Sequence, residues 1–418
     1  MSLDLKKHFS LIENFISYFL FKAIDAVIPL IIIPYLLNVV SEKNYGIYAF
    51  AFSLIFYFQN IIQFGFYLSA VRDIALIRDD KKKLRKVYND TLTAQFYLFI
   101  TSIIVLTILL LVVPKLGEHY IIYLFFIILL LGEVLFPMWF FLGMEKMRFI
   151  TMVNIISKSM FALFCFTLIK TESQFIYISL YHSIGFLIAG LIAQIFIYKK
   201  FGIFFKFSKF QDVKTTIKGA WSSFLTMASP TIYYNTSIFL VGLHWPQRFA
   251  GVMEIGTKVS GAFGVVNTIM TNVLYPFLNR NKSAMHISRY IFIVMGFLLS
   301  ISMYFLADFL IELWLGKGNT SLEIGKAVKY LSPAPFLASI ISAFGVNGLM
   351  IYKKDKLYSK IIVFGSVCGL VTGLLLIPTY NYVGGAFTII IALTVKALLS
   401  FVFCMKVIKE NKKPSHEV

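Results

Sequence analysis

The chain has 418 residues, of which 59% are hydrophobic and 14% are charged, and its formal net charge is +19. A soluble domain of this length carries about 25% charged residues, so the composition excludes an ordinary soluble protein and indicates a polytopic helical membrane protein. A net charge this basic suggests nucleic acid as the partner of a soluble protein. Here the Lys and Arg residues collect between apolar segments, which excludes that reading.

Twelve apolar segments are each long enough to cross a hydrocarbon core about 30 Å thick, which takes about 20 helical residues. They are predicted at 15–40, 45–71, 91–113, 120–142, 149–169, 176–198, 223–243, 250–278, 290–314, 326–350, 359–378 and 385–405. The first segment is interpreted as an uncleaved span, because it is too long for the apolar part of a signal peptide and lacks a small-residue cleavage site.

The loops predict the orientation of the spans. Lys and Arg are concentrated after the second, sixth, tenth and twelfth spans, so the positive-inside rule predicts that both termini face the cytoplasm. The longest of these connections divides the spans six and six. The predicted domains are an N-terminal lobe at 1–198, a cytoplasmic linker at 199–222, a C-terminal lobe at 223–405 and a basic tail at 406–418.

A parallel repeat of the two lobes is also predicted, because an even number of spans in each half preserves orientation. The sequence "NYGIYAF" opens the second span after a span that contains proline, and "FAGVMEI" opens the eighth span in the same setting.

Polar residues interrupt three spans of the N-terminal half. Lys22 and Asp25 share a helix face at i, i+3. A charge at the bilayer centre costs roughly 2.5–3.5 kcal/mol on insertion scales, so this pair is either a structural ion pair or faces water. Gln59 and Gln63 share a face of the second span, where hydrogen bonding between helices is the simpler explanation. In the fifth span, Lys158 lies near the midpoint with no acid in its own span.

The C-terminal half has a more ordered pattern. Five residues of the eighth span fall on one helical stripe, and these are Glu254, Lys258, Gly261, Thr268 and Asn272. Glu254 and Lys258 are spaced to pair with each other, or they face a polar interior. Lys396 lies in the middle of the twelfth span. Basic residues therefore exceed acidic ones within the spans, which favours an anionic solute.

Prolines in the spans remove backbone hydrogen bonds and allow bends, which is typical of a transporter. They are Pro29, Pro34, Pro137, Pro230, Pro333 and Pro335.

The six His and three Cys residues are scattered without the spacing of a metal site, and no GxxxxGK[ST] loop is present. No catalytic residue, metal site or cofactor is predicted.

Three stretches resemble the Wzx-type polysaccharide flippases of the multidrug/oligosaccharidyl-lipid/polysaccharide (MOP) superfamily. They are "NYGIYAFAFSLIFYFQNIIQFGFYLSAVRDIA", "FFLGMEKMRFITMVNIISKSM" and "PTYNYVGGAFTIIIALTVKALLSF". The resemblance covers essentially the full length. It implies a two-lobed alternating-access carrier with twelve helices, which moves an undecaprenyl-diphosphate-linked oligosaccharide across the bacterial inner membrane through a cationic central cavity. Coupling to H⁺ or Na⁺ is implied as well, and so is partnership with an O-antigen polymerase and a chain-length regulator.

The resemblance gives these polar residues expected roles. The residues expected to bind the diphosphate and sugars are Lys22, Lys158, Lys258, Lys396, Gln59, Gln63, Asn154, Thr268 and Asn272. Asp25 and Glu254 are expected to act in ion coupling. Lys396 departs from the family pattern, in which an acid is frequent in that region. Two alternatives remain, a drug or metabolite antiporter of the same superfamily and an O-antigen polymerase. The basic excess opposes the first, and the short outer loops oppose the second.

Overall fold

The structure is a computed structural model, which describes the backbone of residues 2–412 and the side chains of residues 19–410. Every regular element in these ranges is a helix. The chain forms two compact units, the first extending to Thr231 and the second beginning at Ile232. The prediction of an all-helical membrane protein is confirmed.

The first unit contains eight helices and the start of a ninth, and one 3₁₀ turn, Glu172–Ile176, precedes the eighth. They are α1 (Ser2–Gln63), α2 (Phe66–Ile77), α3 (Lys81–Val112), α4 (Pro114–Gly117), α5 (Tyr120–Leu135), α6 (Met138–Gly143), α7 (Met147–Leu168), α8 (Tyr177–Phe201) and α9 (Phe210–His244).

The second unit contains the end of α9 and five further helices. They are α10 (Arg248–Arg280), α11 (Met285–Leu315), α12 (Asn319–Leu331), α13 (Ala334–Ile340) and α14 (Asp355–Lys412). A 3₁₀ turn, Lys282–Ala284, precedes α11, and a π-helix, Ile341–Met350, follows α13 directly.

Nine helical segments within the described range are long and apolar enough to cross a membrane. The two longest, Phe19–Ile77 and Asp355–Glu410, have 59 and 56 residues. Within these segments, α1 has a non-helical residue at Ser41 (φ 70°) and α14 has one at Asn381 (φ 48°). Each of these residues is a kink that divides its element into two helices. The two kinks lie in the predicted connections, at 41–44 and 379–384, where short loops were expected.

Three predicted spans contain a break in the helix. The segment 45–71 breaks at Gly65, 120–142 breaks before Pro137, and 326–350 breaks before Pro333. Proline lacks the N–H that would continue each helix, which explains the last two breaks. The helices nevertheless continue through Pro29, Pro34 and Pro230.

The break at Gly65 has a different cause. Gly65 adopts φ 71°, a left-handed conformation that glycine adopts readily and that residues with a side chain disfavour. A Cβ here would also lie 2.6 Å from the carbonyl carbon of Ser223 in α9. The neighbouring ring of Phe64 stacks on Phe224 with centroids 4.5 Å apart. Glycine thus permits both the turn and the close approach of α9.

Helices α5 and α8 of the first unit pack closely against each other. A Cβ on Gly132 would lie 2.7 Å from the backbone of Phe186 and Leu187, so the absence of a side chain lets the two helices touch. Where α5 ends, Gln194 of α8 donates a hydrogen bond of 2.7 Å to the carbonyl oxygen of Leu135. This bond satisfies an acceptor at the end of α5.

We expect Gly132→Ala to destabilise the first unit by about 1–3 kcal/mol, the usual cost of overpacking, because the new methyl group meets backbone rather than a side chain that can move. Thermal unfolding of the purified protein measures the effect. Gly219→Ala is the matched control, because Gly219 is exposed in α9 and a Cβ there meets nothing within 4 Å. Equal stability of the two variants would contradict the close contact.

The second unit is held by an apolar cluster and an ion pair. The buried residues of the cluster are Phe292, Ala343, Phe344, Leu349, Ile361, Cys404 and Val407, from α11, the π-helix and α14. At one end of α10, the guanidinium of Arg248 makes two hydrogen bonds to the carboxylate of Glu323 in α12, of 3.0 and 3.3 Å. These contacts fix α10, the helix that carries the predicted polar stripe.

The short connection between α2 and α3 ends in a helix cap. The carboxylate of Asp80 accepts hydrogen bonds from the backbone N–H groups of Lys82 and Lys83, at 3.1 and 3.0 Å. The hydrogen bond from the Lys83 backbone lowers the pKa of Asp80 below its ordinary value, because the bond favours the charged carboxylate. This cap fixes the start of α3.

Candidate functional site

Asp25 of α1 is held by two side chains of α7. Its Oδ1 accepts a hydrogen bond of 3.2 Å from the amide of Asn154 and a second from the ammonium of Lys158. Asn154 and Lys158 are four residues apart and so share a helix face, which lets both reach one carboxylate. The acid that neutralises Lys158 therefore comes from another helix. We call these three residues the Asp25 cluster.

The Asp25 cluster is partly accessible. The side chain of Asp25 is 36% exposed and that of Lys158 is 19% exposed. Lys22, one turn before Asp25, is half-buried, and its ammonium lies 5.5 Å from the ring centroid of Phe21. Partly exposed charges of this kind are able to exchange partners, because water replaces part of each lost contact.

A second polar group lies inside the same unit. Gln59 and Gln63 are one turn apart on α1, and their amide nitrogens donate to the two carboxylate oxygens of Glu133 in α5, at 3.1 and 2.7 Å. Glu133 is 6% exposed and Gln59 is 7% exposed. We call these residues the Glu133 cluster. The sequence analysis did not predict Glu133 as a site residue.

In the second unit, the predicted pair on α10 is present. The ammonium of Lys258 lies 2.5 Å from Oε1 of Glu254, and the side chains are 29% and 5% exposed. Farther along the stripe, Thr268 and Asn272 are both exposed, and the hydroxyl of Thr268 donates to the carbonyl oxygen of Gly264. The stripe thus begins as a partly buried ion pair and ends at the surface of the unit.

Asn267 is a polar residue of α10 that the sequence did not single out. It is 5% exposed, its amide nitrogen donates to the hydroxyl of Ser342 at 3.1 Å, and its oxygen accepts from Ser339 at 3.3 Å. Its neighbour Thr268 is exposed, so the polar face that turns inward is one residue away from the predicted stripe. Only the partners in other helices distinguish these two positions.

Lys396 of α14 is 2% exposed, and its ammonium lies 3.8 Å from the ring centroid of Tyr233 in α9. Such a contact between an ammonium and an aromatic face is attractive, particularly where water is excluded. Its stem packs against Gly365, where a Cβ would lie 3.2 Å from the Lys396 Cε. Glycine at position 365 therefore leaves the space that the lysine stem fills.

Each unit consequently carries a lysine paired with an acid inside its helices, at Asp25 with Lys158 and at Glu254 with Lys258. Lysine is a mobile point charge with three donors, which suits binding and release of a phosphate group. The structure brings Asn154 to Lys158, and it brings Gln59 and Gln63 to Glu133. The predicted site residues thus separate into local clusters within each unit.

The chain is similar to known proteins in three ways: to a protein family, to two curated relatives and to solved structures. Residues 11–282 match a family described as "Polysaccharide biosynthesis protein". Two curated relatives are each named "Putative O-antigen transporter". One, from Escherichia coli (strain K12), is 25% identical over 91% of this chain and 93% of its own length. The other, from Shigella dysenteriae, is 24% identical over 95% of this chain and all of its own.

The fold resembles a solved structure described as the inward-facing conformation of a multidrug resistance MATE family transporter of the MOP superfamily. The TM-score is 0.63 and the sequence identity is 14%, over 93% of this chain and all of that one. A likeness at this identity shows a common fold and leaves the transported molecule open.

Proposed function

Because the chain belongs to the polysaccharide biosynthesis protein family, we propose that it moves an undecaprenyl-diphosphate-linked oligosaccharide, such as an O-antigen repeat unit, from the cytoplasmic to the periplasmic leaflet. The family match confirms the resemblance stated from the sequence. The observation that carries the proposal is that each unit holds a lysine, paired with an acid, inside apolar helices. The relatives named as O-antigen transporters support a transporter rather than an enzyme.

The chemistry of the cargo explains why such lysines are needed. A diphosphate that carries several sugars does not cross hydrocarbon unaided, because its charges and hydroxyl groups lose their hydration. In this proposal the polyprenyl tail stays in lipid and the head group crosses by alternating access along polar residues. The diphosphate competes with Asp25 for Lys158 and with Glu254 for Lys258, and the released lysines neutralise its charge.

The remaining predicted residues have supporting roles in this proposal. Lys22 and Lys396 add positive charge, and sugar hydroxyls exchange water for hydrogen bonds to polar side chains. Those side chains are Gln59, Gln63, Asn154, Thr268 and Asn272. Asp25 and Glu254, when released from lysine, carry the coupling ion, H⁺ or Na⁺.

We also propose twelve crossings in two six-helix lobes with both termini in the cytoplasm of a bacterial inner membrane. The two longest apolar segments each have the length for two crossings, which supports this number. The 35-residue helix α9, which includes Pro230, supplies the remaining crossing. An O-antigen polymerase and a chain-length regulator are the proposed partners, and they act on the cargo after it has crossed.

Deletion of the gene in its host tests the proposal. We expect surface polysaccharide to vanish while the lipid-linked unit accumulates on the cytoplasmic side, out of reach of a glycan-binding probe applied to the outer face. If single units reach the outer face but are not polymerised, the transport proposal is wrong. Unchanged surface polysaccharide with greater sensitivity to cationic drugs would instead support the antiporter alternative.

A further inference from the structure

Glu133 differs from the other acids that form close contacts within the apolar helices. Asp25, Glu254 and Asp308 each form an ion pair with a lysine. Within the described range, Glu133 pairs with no Lys, Arg or His, and its two carboxylate oxygens accept hydrogen bonds from the amides of Gln59 and Gln63. An ionised carboxylate that is buried without a cation is costly, and such a group usually becomes neutral.

The two amides can satisfy Glu133 in either protonation state. When the group is ionised, both amides donate to it, as the structure shows. When it is protonated, its O–H needs an acceptor, which an amide oxygen supplies. The Oε1 atom of Gln59 is buried and has no hydrogen-bond partner within the part of the chain that is described. Rotation of the Gln59 amide would present this oxygen to the protonated acid, while Gln63 continues to donate.

A small cavity adjoins the carboxylate. Its volume is about 20 Å³, which exceeds the roughly 10–15 Å³ that one water molecule needs. It is lined by Gln63, Tyr67, Gln95, Glu133, Phe136, Met138 and Trp139. The cavity therefore provides room for one water molecule beside Glu133. A hydronium ion in this position would transfer its proton to a carboxylate oxygen and remain as water.

The groups that surround Glu133 leave it as the main titratable group of this cavity. Helix α1 contributes the two amides, α3 contributes Gln95, and α6 contributes Trp139, whose indole N–H donates to Gln95 at 3.0 Å. Helix α2 contributes Tyr67, a phenol. The backbone of α8 packs against Gly132. The histidine of α8, His182, lies within 3.0 Å of the hydroxyl of Tyr48.

From this geometry we propose that the Glu133 cluster is a reversible proton-binding site within the first unit. Binding replaces an ionised acid that accepts two amide hydrogen bonds with a neutral acid that donates one and accepts one. The proposal rests on the proposed function only in its consequence for coupling: protonation of Glu133 would accompany each transport cycle. Proton binding itself is a property of the folded protein and does not depend on the cargo.

Infrared difference spectroscopy of the purified protein in lipid nanodiscs, titrated with acid, tests proton binding directly. We expect a C=O stretching band of a protonated carboxylic acid that is absent from Glu133→Gln and present in the control Glu312→Gln, which removes a half-buried acid of α11. A spectrum of Glu133→Gln identical to that of the unchanged protein would overturn the proposal. A band that moves with Na⁺ concentration at constant pH would also overturn it, in favour of a metal cation.

Gln63→Leu keeps the test decisive if Glu133→Gln fails to fold. This variant removes the 2.7 Å hydrogen bond to the carboxylate. The acid band should therefore shift in frequency, and an unshifted band would assign it to another acid.

In vesicles that contain lipid-linked oligosaccharide, transport by Glu133→Gln should lose its dependence on pH. If the unchanged protein moves no oligosaccharide, the proposed function fails while the infrared result still decides the proton site.

Discussion

Lys158→Met should reduce export of surface polysaccharide at least about tenfold, and the addition of Asp25→Asn should not restore it. The structure joins these two side chains in an ion pair, so loss of the lysine alone leaves the carboxylate of Asp25 with the amide of Asn154. If the pair were only structural, removal of both charges would relieve the imbalance and recover function. If Lys158 binds the diphosphate and Asp25 carries the coupling ion, the double variant folds and remains inactive.

Complementation of the deletion strain measures this outcome, with the amount of protein in the membrane determined for each variant. Lys146→Met is the matched control, because Lys146 is exposed immediately before α7. We expect this control to export normally. Recovery of export in the double variant would assign Lys158 a structural role and remove it from the proposed binding residues.

Lys258→Met should destabilise the second unit by up to about 3 kcal/mol, the lower part of the range found when one member of a buried ion pair is removed. Glu254 is buried, so loss of the lysine 2.5 Å away leaves a carboxylate with much less compensation. The estimate stays at the lower end because Lys258 is 29% exposed and water already weakens the pair. The double variant Glu254→Gln/Lys258→Met should recover most of the lost stability.

Thermal unfolding in detergent gives the stabilities, and the complementation assay gives transport for the same proteins. The control is Lys317→Met, which removes an exposed lysine of the second unit. We expect the double variant to be stable yet inactive, because it lacks both the lysine proposed to bind the diphosphate and the acid proposed to carry the coupling ion. A single variant as stable as the unchanged protein would show that the ion pair contributes nothing to folding.

Hydropathy located most helices correctly but missed the breaks within three predicted spans. Segment 250–278 lies wholly within α10, which runs from Arg248 to Arg280. The helix interruption at Gly65 depends on contact with Ser223, more than 150 residues away along the chain. The kinks at Ser41 and Asn381 lie in connections that hydropathy did locate. A local average over about 20 residues does not reveal a break that depends on a distant residue.

The polar residues likewise divide into those that the sequence identified and contacts that only the structure revealed. Their identity alone indicated that Asp25, Lys158 and Glu254 are exceptional, since charges are expensive at membrane depth. The pairing of Glu254 with Lys258 was one of the predicted arrangements, because both residues lie on one helix at i, i+4. The contact of Lys158 with Asp25 joins two helices, and the sequence offered no means of choosing that acid.

The sequence by itself determined that this protein is helical, that it spans a membrane several times, and that its spans carry more lysine than acid. Each of these follows from composition and local periodicity, which are properties of neighbouring residues. The tertiary structure alone decided that Asp25 meets Lys158, that Gln59 and Gln63 meet Glu133, and that Asn267 is buried. Helix packing sets these contacts, because the shapes of whole surfaces select which helices touch and which side chains then meet.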